Sequence, residues 1–323
     1  MLARLFAAVF KRPPAPSPEA PSAHAADQAA TQTVPPAPIT LADPGQTSLP
    51  LEKAASPESR ESPTDEEGFN RLTPCRYGRM LSNVNDRYIG RSLQAYGEYC
   101  QAEPDLLGRL IQAGDVVVDA GANIGALTLF FARAVGDRGR VHAFEPQRVL
   151  FQTLCANIAL NSLLNAHAHH AALGEQPGRI KVDTPDYTSE NNFGGMPLGE
   201  WSAGEEVPLM RIDDLALERC TLIKIDVEGM EQAVLRGAAG TIARHRPILY
   251  VENDREEKSA ELVRDLMGRG YRLYWHIAPY FNPDNFRGMK ADLFPGLAAR
   301  NMLCIPRERP IAVAGMPEVD VPE

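Results

Sequence analysis

Short apolar runs of strand length alternate with helical patterns along the second part of the chain. The clearest runs are VVVDA, VHAFE, LIKID and ILYVE, at residues 116–120, 141–145, 222–226 and 248–252. Each run is apolar on both faces, which is typical of parallel strands that are covered by helices. Helices are predicted at residues 102–112, 124–135, 149–161 and 256–267. This alternation predicts an α/β fold built around a parallel sheet.

The end of the pattern differs from its beginning. Residues 271–277 and 301–305 have strand-like sequences, but the long connection between them, residues 278–300, has no helical pattern. Two strands that follow each other without a crossover helix pair in opposite directions. We therefore expect a final antiparallel pair.

The first part of the chain has a different composition. Residues 11–67 hold 12 of the 27 prolines and almost no large apolar side chains, so they cannot bury enough surface to offset their ordering entropy. We predict a disordered tail over residues 1–68, a connecting segment over 69–92, a folded domain over 93–307 and a flexible C-terminal tail over 308–323. The opening MLARLFAAVFKR has an apolar helical face that would suit a weak tether to a membrane or a protein, although a frayed end is favoured.

Net charge and cysteine spacing argue against several classes of protein. The net charge is −9 and no basic stripe follows the sequence, which argues against a nucleic-acid partner. The five cysteines have no CxxC spacing, so neither a disulfide framework nor a zinc site is indicated. No apolar run approaches the roughly 20 residues that a membrane span needs. A cytoplasmic location is predicted.

A glycine turn follows the first predicted strand. In DAGANIG, Asp119 ends the strand, and Gly121 and Gly125 flank a turn that opens a helix. Glycine lets the backbone take positive φ and lets a ligand approach the main chain at this edge of the sheet. Any tight strand-to-helix turn favours glycine, so the neighbouring residues have to decide whether a cofactor binds here.

The second strand supplies such a neighbour. It ends in Glu145, 26 residues after Asp119, and Pro146 follows. A carboxylate at this edge can accept hydrogen bonds from both hydroxyls of a ribose. The turn reads G-A-N-I-G rather than G-x-G-x-x-G, and Asn123 stands where a dinucleotide fingerprint needs glycine beside the pyrophosphate. The sequence therefore favours S-adenosylmethionine over NAD.

The third strand carries charged side chains within an otherwise apolar run, where a charge is costly unless it is paired or binds a ligand. Lys224 and Asp226 point the same way along LIKID, and Glu228 with Gly229 forms the turn beyond it. Lys224 is either a substrate-binding residue or a buried cation that pairs with the neighbouring carboxylates. Asp226 and Glu228 are expected at the open edge of the sheet, where ligands bind.

Carboxylates at the strand ends are the candidates for a catalytic base, and these are Asp226, Glu228 and Glu252. A Mg²⁺ ion on Asp226 with Asn253 or Asp254 is the alternative, and a metal-free site is favoured. His167, His169 and His170 lie on one predicted strand without a flanking carboxylate signature, so we do not predict that they bind metal.

Taken together, DAGANIGALTLFFA, FEP and KIDVEGMEQAVLRGA resemble the FkbM-type methyltransferases, as do the weaker stretches YGEYCQAEPDLL, SENNFGGM, RIDDL and NMLCIP. The resemblance covers most of residues 95–307. It implies a class I, Rossmann-like fold with a seven-stranded, mostly parallel sheet, helices on both faces and a C-terminal antiparallel strand. It also implies S-adenosylmethionine as methyl donor and O-methylation of a hydroxyl on a sugar, glycan or natural product.

Carried over residue by residue, the resemblance implies a set of cofactor contacts. The cofactor would be bound by Asp119, Gly121, Asn123, Gly125, Glu145, Pro146 and Asp226. Separately from the resemblance, Asn191, Asn192 and Phe193, in a polar, Gly-rich loop between residues 187 and 204, are candidates to close over the acceptor, and a merely solvated loop is the alternative. The segment AALGEQPG has no acidic residue at the position where many class I enzymes bind adenine, so the adenine contacts stay open.

Two other functions compete with methyl transfer. A nicotinamide-dependent oxidoreductase would need the dinucleotide fingerprint that the turn lacks. A non-catalytic binding or scaffold protein of the same fold would not need its acidic edge, yet Asp119, Glu145, Asp226 and Glu228 are all present. Methyl transfer is therefore the favoured function.

Overall fold

The computed structural model describes residues 39–41, 68–198 and 202–320. Contacts divide the chain into two units, and every described residue belongs to the second, Pro38–Glu323.

In chain order, the strands of this unit are β1 (Ile39–Leu41), β2 (Asn70–Cys75), β3 (Gly78–Asn83), β4 (Val116–Ala120), β5 (Arg140–Phe144), β6 (Ala166–His169), β7 (Ala172–Leu173), β8 (Gly178–Val182), β9 (Glu205–Met210), β10 (Leu222–Ile225), β11 (Ile248–Glu252), β12 (Tyr271–Pro279), β13 (Ala298–Pro306) and β14 (Ile311–Val313). The helices are α1 (Ile89–Tyr96), α2 (Ala102–Leu107), α3 (Ala126–Val135), α4 (Arg148–Leu160), α5 (Glu231–Gly237), α6 (Ala239–His245) and α7 (Glu256–Gly268).

Seven strands form the central sheet, in the order β12-β13-β11-β10-β4-β5-β6. The chain runs outward from β4 to β6 on one side and then from β10 to β11 on the other, so the strand order reverses between β4 and β10. All neighbouring pairs are parallel except those of β13 with β11 and β12. The α/β fold and its final antiparallel pair are confirmed. A ligand site is expected at the reversal point, beside the carboxyl ends of β4 and β10.

The core lies on both faces of this sheet. Every residue of β10 is buried, and β4 is buried from its second residue onward, because helices cover both faces. Val118, Ile223 and Leu249 pack on one face with α5, α6 and α7, while Val117, Leu222 and Tyr250 pack on the other with α2 and α3. The two central strands therefore hold their carboxyl ends in fixed positions.

The segment predicted as a connection, residues 69–92, is folded. It forms the antiparallel hairpin β2–β3 and the first turn of α1. The side-chain amide of Asn157 in α4 accepts from the amide of Leu81 and donates to its carbonyl, at 2.6 and 3.0 Å. Because these bonds tie the hairpin to the α/β core, the folded unit begins well before residue 93.

The predicted tails also need correction. Residues 308–320 are not a loose tail, because Ile311 and Val319 are buried in the core and β14 pairs with β1. The amides of Trp275 and Val319 donate to the carbonyls of Pro317 and Leu273, so this segment runs beside β12 and covers the edge of the sheet. The rest of the predicted N-terminal tail, residues 1–38 and 42–67, lies outside the described residues, as do residues 321–323.

Helix α2 is shorter than the predicted helix at residues 102–112. It ends at Leu107, and the amides of Arg109 and Leu110 donate three residues back, to Leu106 and Leu107. Such a tighter turn is common at the ends of helices. None of the helices in the described ranges is both long and apolar enough to cross a membrane.

Candidate active site

The glycine turn after β4 is held against both neighbouring strands. Gly121 has a φ of +80°, and a Cβ added there would lie 1.7 Å from the backbone oxygen of Asp226. The amides of Gly121 and Ala122 donate to the carbonyl of Phe144, at 3.0 and 2.8 Å. Only glycine fits this close approach. The turn therefore leaves the edge of the sheet open at Asn123, whose φ is also positive at 51°.

Glu145 lies beside this turn at the end of β5. Its two carboxylate oxygens accept hydrogen bonds from the backbone amides of Asn123 and Gln147, at 2.9 and 2.8 Å. The side chain is buried, and burial raises its pKa to about 7. An ionised carboxylate has about four acceptor positions, so both oxygens retain room for a ligand hydroxyl. The structure thus brings Glu145 and Asn123 together, as the sequence predicts.

Lys224 stands at the centre of the open edge. Its amino group donates to the carbonyl of Gly121 at 2.8 Å and lies 3.2 Å from Asp226 and 3.6 Å from Asp119. Burial alone would lower the pKa of Lys224, but the charges of Asp226 and Asp119 outweigh it and hold this pKa above its ordinary value. With a side chain only 6% exposed, Lys224 is a buried cation paired with carboxylates. A direct contact with substrate stays a prediction.

Asp119 is fully buried. Its Oδ2 accepts a hydrogen bond from the hydroxyl of Thr128 in α3 at 2.6 Å, while its Oδ1 has no hydrogen-bond partner. Burial raises the pKa of Asp119, and Lys224 opposes that rise. The Oδ1 of Asp119 lies 3.6 Å from the amino group of Lys224, so this carboxylate is paired with a cation at the wall of the cleft.

Three carboxylates meet at the ends of β10 and β11. Oxygens of Asp226, Glu228 and Glu252 all lie within 4.8 Å of one another. Glu228 is ion-paired with Arg255 at 2.6 Å, and the Oε2 of Glu252 is buried without a hydrogen-bond partner. Burial and the charges of Asp226 and Glu228 raise the pKa of Glu252 well above its usual range. Glu252 therefore holds a proton more readily than an exposed glutamate does.

The structure changes the composition of the alternative metal site. The amide of Asn253 donates to Ser259 at 2.9 Å, so this side chain is directed away from the three carboxylates. A divalent cation at this edge would instead bind Asp226, Glu228 and Glu252, whose oxygens are the ligands that Mg²⁺ prefers.

The three histidines that the sequence places on one strand have other contacts. The rings of His167 and His169 stack on the ring of His142, and the Nε2 of His170 lies 3.1 Å from the carbonyl oxygen of Pro146.

A cleft of about 350 Å³ joins these groups. Of the predicted site residues, it is lined by Asp119, Gly121, Asn123, Glu145, Pro146, Asn192, Lys224, Asp226, Glu228 and Glu252. Two predicted residues lie elsewhere. Gly125 does not line the cleft but precedes the first turn of α3, with a φ of +91°. Phe193 is 0% exposed and packs on Tyr187 at 4.8 Å between ring centroids, so its ring does not face an acceptor.

Sequence reasoning missed one wall of the cleft. Tyr88, Tyr99 and Glu103 reach it from the region of α1 and α2, and Tyr280 and Asn301 reach it from β13 and the connection before it. The Tyr280 ring centroid lies 5.2 Å from that of Tyr99 and 5.8 Å from that of Tyr88. Asn301 donates to Glu103 at 3.0 Å, and burial raises the pKa of Glu103 to about 8. Tyr99 and Glu103 lie in the stretch YGEYCQAEPDLL and Asn301 begins NMLCIP, but neither stretch indicates that its residues face a ligand site.

The opposite end of the cleft is apolar. Phe144, Ala171, Ala172 and Leu173 line it beside Glu145. The sequence left the adenine contacts open, and none of these four lining residues is a carboxylate.

The strand order, the glycine turn and the acidic edge define a class I, Rossmann-like methyltransferase fold. Residues 119–273 match the family model of the methyltransferase FkbM domain. The chain is 31% identical to the 31-O-demethyl-FK506 methyltransferase FkbM of Streptomyces tacrolimicus over 204 residues. This match covers 53% of the present chain and 78% of that relative. The chain belongs to the FkbM methyltransferase family.

Other similar proteins match over less of their length. Methyltransferase 1 of Beauveria bassiana (strain ARSEF 2860) is 31% identical over 143 residues, which are 38% of this chain and 57% of that protein. This chain therefore spans less than two thirds of that relative. The crystal structure of a methyltransferase FkbM from Methylobacillus flagellatus KT matches with a TM-score of 0.41 and 19% identity, over 68% of this chain and 55% of that one.

Proposed function

We propose that this protein transfers the methyl group of S-adenosylmethionine to a hydroxyl oxygen of a small-molecule or glycan acceptor. The observation that carries the proposal is the position of one cleft at the strand-order reversal, with Glu145 and the glycine turn at one end and three carboxylates at the other. The relative from Streptomyces tacrolimicus is an O-methyltransferase by name, which supports oxygen as the atom methylated.

Residues of the cofactor end fit S-adenosylmethionine without requiring a phosphate site. The carboxylate of Asp119 at the wall of the cleft suits the ammonium group of a methionine moiety, and Glu145 suits the two ribose hydroxyls. The apolar surface of Ala171, Ala172 and Leu173 suits an adenine ring. Asn123 occupies the position where a dinucleotide turn needs glycine, so NAD is disfavoured.

We assign the general base to Asp226. Its side chain is 35% exposed in the cleft, and Lys224 fixes its position. When bound, the cofactor supplies an electrophilic methyl group on a sulfonium. Asp226 would take the proton of the acceptor hydroxyl, whose oxygen would receive the methyl group that the sulfonium of the bound cofactor would release. Burial and the neighbouring carboxylates raise the pKa of Glu252, and its protonated form would donate a hydrogen bond to the carboxylate of Asp226 and hold it in place.

A Mg²⁺ ion is the second candidate for activating the hydroxyl, because the three carboxylates form an oxygen-rich group. We favour the metal-free mechanism, since Lys224 and Arg255 already form ion pairs with two of the three carboxylates. The two mechanisms differ in one readout: only the metal-dependent one is abolished by a chelator and restored by added Mg²⁺.

The first test is binding of S-adenosylhomocysteine, the product form of the cofactor. By titration calorimetry, the wild-type protein should bind it at micromolar concentration and should not bind NADH, while Glu145→Ala should lose most of the affinity. Glu175→Ala is a matched control, because Glu175 is an exposed carboxylate that pairs with Arg236 on the surface. A wild-type protein that binds NADH and not S-adenosylhomocysteine would overturn the proposed cofactor.

The affinity for S-adenosylhomocysteine should also depend on pH through Glu145. Burial raises the pKa of this carboxyl to about 7, and only the ionised form accepts bonds from both ribose hydroxyls while it retains its two backbone bonds. Affinity should therefore be full above pH 8 and should fall as the pH decreases through 7, by about tenfold at pH 6. Calorimetric titrations between pH 6 and 8.5 measure this directly. In Glu145→Gln, whose side chain does not titrate, this part of the pH dependence should vanish.

A further inference from the structure

A polar segment crosses the mouth of the cleft. We call residues 187–198, from Tyr187 to Leu198, the strap. Its members Asn192, Gly194, Gly195, Met196 and Leu198 line the cleft. The sequence predicts that Asn191, Asn192 and Phe193 contact the acceptor. In the structure, the strap contacts residues at the cofactor end of the cleft.

The strap is fixed at its first end to the β2–β3 hairpin region. The side-chain amides of Asn83 and Asn85 donate to the carbonyl of Tyr187, at 2.9 and 3.1 Å. The backbone of Asn191 forms a parallel bridge with this region, because its amide donates to Asn85 and its carbonyl accepts from Arg87, both at 3.0 Å. This end is therefore held by the part of the chain that precedes the matched family segment.

Its middle and far end are fixed to the cofactor edge of the sheet. Gln147, two residues after Glu145, donates to the carbonyl of Phe193 at 2.7 Å and accepts from the hydroxyl of Tyr187 at 3.2 Å. At the far end, the amide of Leu198 donates to the carbonyl of Glu228 at 3.1 Å. The strap thus spans from the ribose carboxylate to the turn that carries the catalytic carboxylates.

Between these anchors Gly194 of the strap lies against the glycine turn. A Cβ added to Gly194 would lie 2.5 Å from the side-chain nitrogen of Asn123. The Asn123 side chain is itself held, because its Oδ1 accepts from the amide of Ile124 at 2.8 Å. Glycine at position 194 is therefore what lets the strap lie directly on the residue that opens the cofactor site.

We propose that the strap forms the outer wall of the cofactor site, and that the contact of Gly194 with Asn123 positions this wall and slows dissociation of the cofactor. The inference rests on the proposed cofactor. It makes Gly194 a positioning residue, because a methyl group at this position must either lift the strap or displace the amide of Asn123, and both changes open the site.

The test is the dissociation rate of S-adenosylhomocysteine, measured by surface plasmon resonance on the full chain. An extra methyl group forced into a packed contact corresponds to about a tenfold change in an equilibrium constant, so Gly194→Ala should accelerate dissociation by about tenfold. The matched control is Gly178→Ala in β8, where an added Cβ meets no atom within 4 Å, and this variant should dissociate at the wild-type rate.

Two further variants separate positioning from a general loss of structure. In an Asn123→Ala background the clashing amide is absent, so adding Gly194→Ala should change the rate by less than about twofold, which is the signature of coupled contacts. Asn85→Ala removes an anchor that does not line the cleft, and it should accelerate dissociation by about threefold. In Gly194→Ala, hydrogen exchange should accelerate at the amides of Asn191 and Leu198 and not in β4 or β10.

The outcomes distinguish this inference from the proposed function. A wild-type protein that binds S-adenosylhomocysteine, together with a Gly194→Ala variant that releases it at the wild-type rate, would overturn the role of the strap and leave the cofactor assignment standing. Equal acceleration with and without Asn123 would also overturn it. A wild-type protein with no affinity for S-adenosylhomocysteine would overturn both.

Discussion

Replacement of Asp226 by asparagine should lower the rate of methyl transfer by about 10²–10⁴-fold, while S-adenosylhomocysteine still binds. Asparagine has nearly the same shape as aspartate but cannot take the acceptor proton. Lys224 retains Asp119 and the carbonyl of Gly121 as partners in this variant, so the edge of the sheet should stay folded. The measurement is formation of S-adenosylhomocysteine in a single turnover, with an acceptor that the wild-type protein methylates in a screen of hydroxylated sugars and natural products.

The control for this variant is Asp254→Asn. Asp254 also lines the cleft, but its side chain is 50% exposed and its nearest cation, Arg255, is 4.0 Å away. Removing this charge should change the rate by only a few-fold. If Asp226→Asn retained nearly full activity, the base would have to be Glu228 or Glu252, and the corresponding glutamine variants would then carry the large loss.

Most of the sheet could be predicted from the sequence because its signal is local. The run at Ile248–Glu252 has the bounds of β11, and the runs at Val116–Ala120 and Leu222–Asp226 match β4 and β10 to within one residue. An acidic residue at the end of each of these strands has to reach the same edge once the strands are parallel. The meeting of Asp119, Glu145 and Asp226 therefore follows from the sequence pattern alone.

The wall formed by Tyr88, Tyr99, Glu103, Tyr280 and Asn301 could not be predicted, because its residues meet only through tertiary packing. Asn301 and Glu103 are 198 positions apart, and the stretches NMLCIP and YGEYCQAEPDLL that contain them do not indicate that they meet. Tyr99 and Tyr280 likewise come from opposite ends of the folded unit. Phe193 was misassigned for the opposite reason: an aromatic residue in a polar loop suggests a ligand contact, yet hydrophobic burial against Tyr187 directs the ring into the core.

The polar composition of residues 308–320 also led to a wrong prediction, that of a flexible tail. Residues 308–320 contain few large apolar side chains, but Ile311 and Val319 are spaced so that both reach the core, and backbone hydrogen bonds to β12 fix the segment. An uncovered sheet edge carries unsatisfied backbone groups, so a segment that satisfies them is ordered even with a modest hydrophobic pattern.

Lys224→Met should reduce the free energy of unfolding by about 3 kcal/mol. The substitution retains the buried apolar volume of the side chain but leaves Asp119, which is 0% exposed, without its cation. Breaking a buried ion pair by removing one partner is strongly destabilising, because the remaining charge stays desolvated. Urea unfolding at pH 8 measures the loss. Lys181→Met is the control, since within the described residues the Lys181 amino group makes an exposed contact to the carbonyl of Ser202, and this variant should unfold like the wild type.

The loss in Lys224→Met should shrink as the pH is lowered. Burial raises the pKa of Asp119 and Lys224 opposes that rise, so removing Lys224 should raise this pKa further. A carboxyl whose pKa is higher in the folded state binds more protons when folded, and folding is therefore favoured as the pH falls through that folded pKa. The double variant Lys224→Met with Asp119→Asn should recover part of the stability at pH 8, because no buried charge is left unpaired at position 119. A single variant as stable as the wild type at pH 8 would mean that Asp119 is already neutral there, and Lys224 would then serve Asp226 alone.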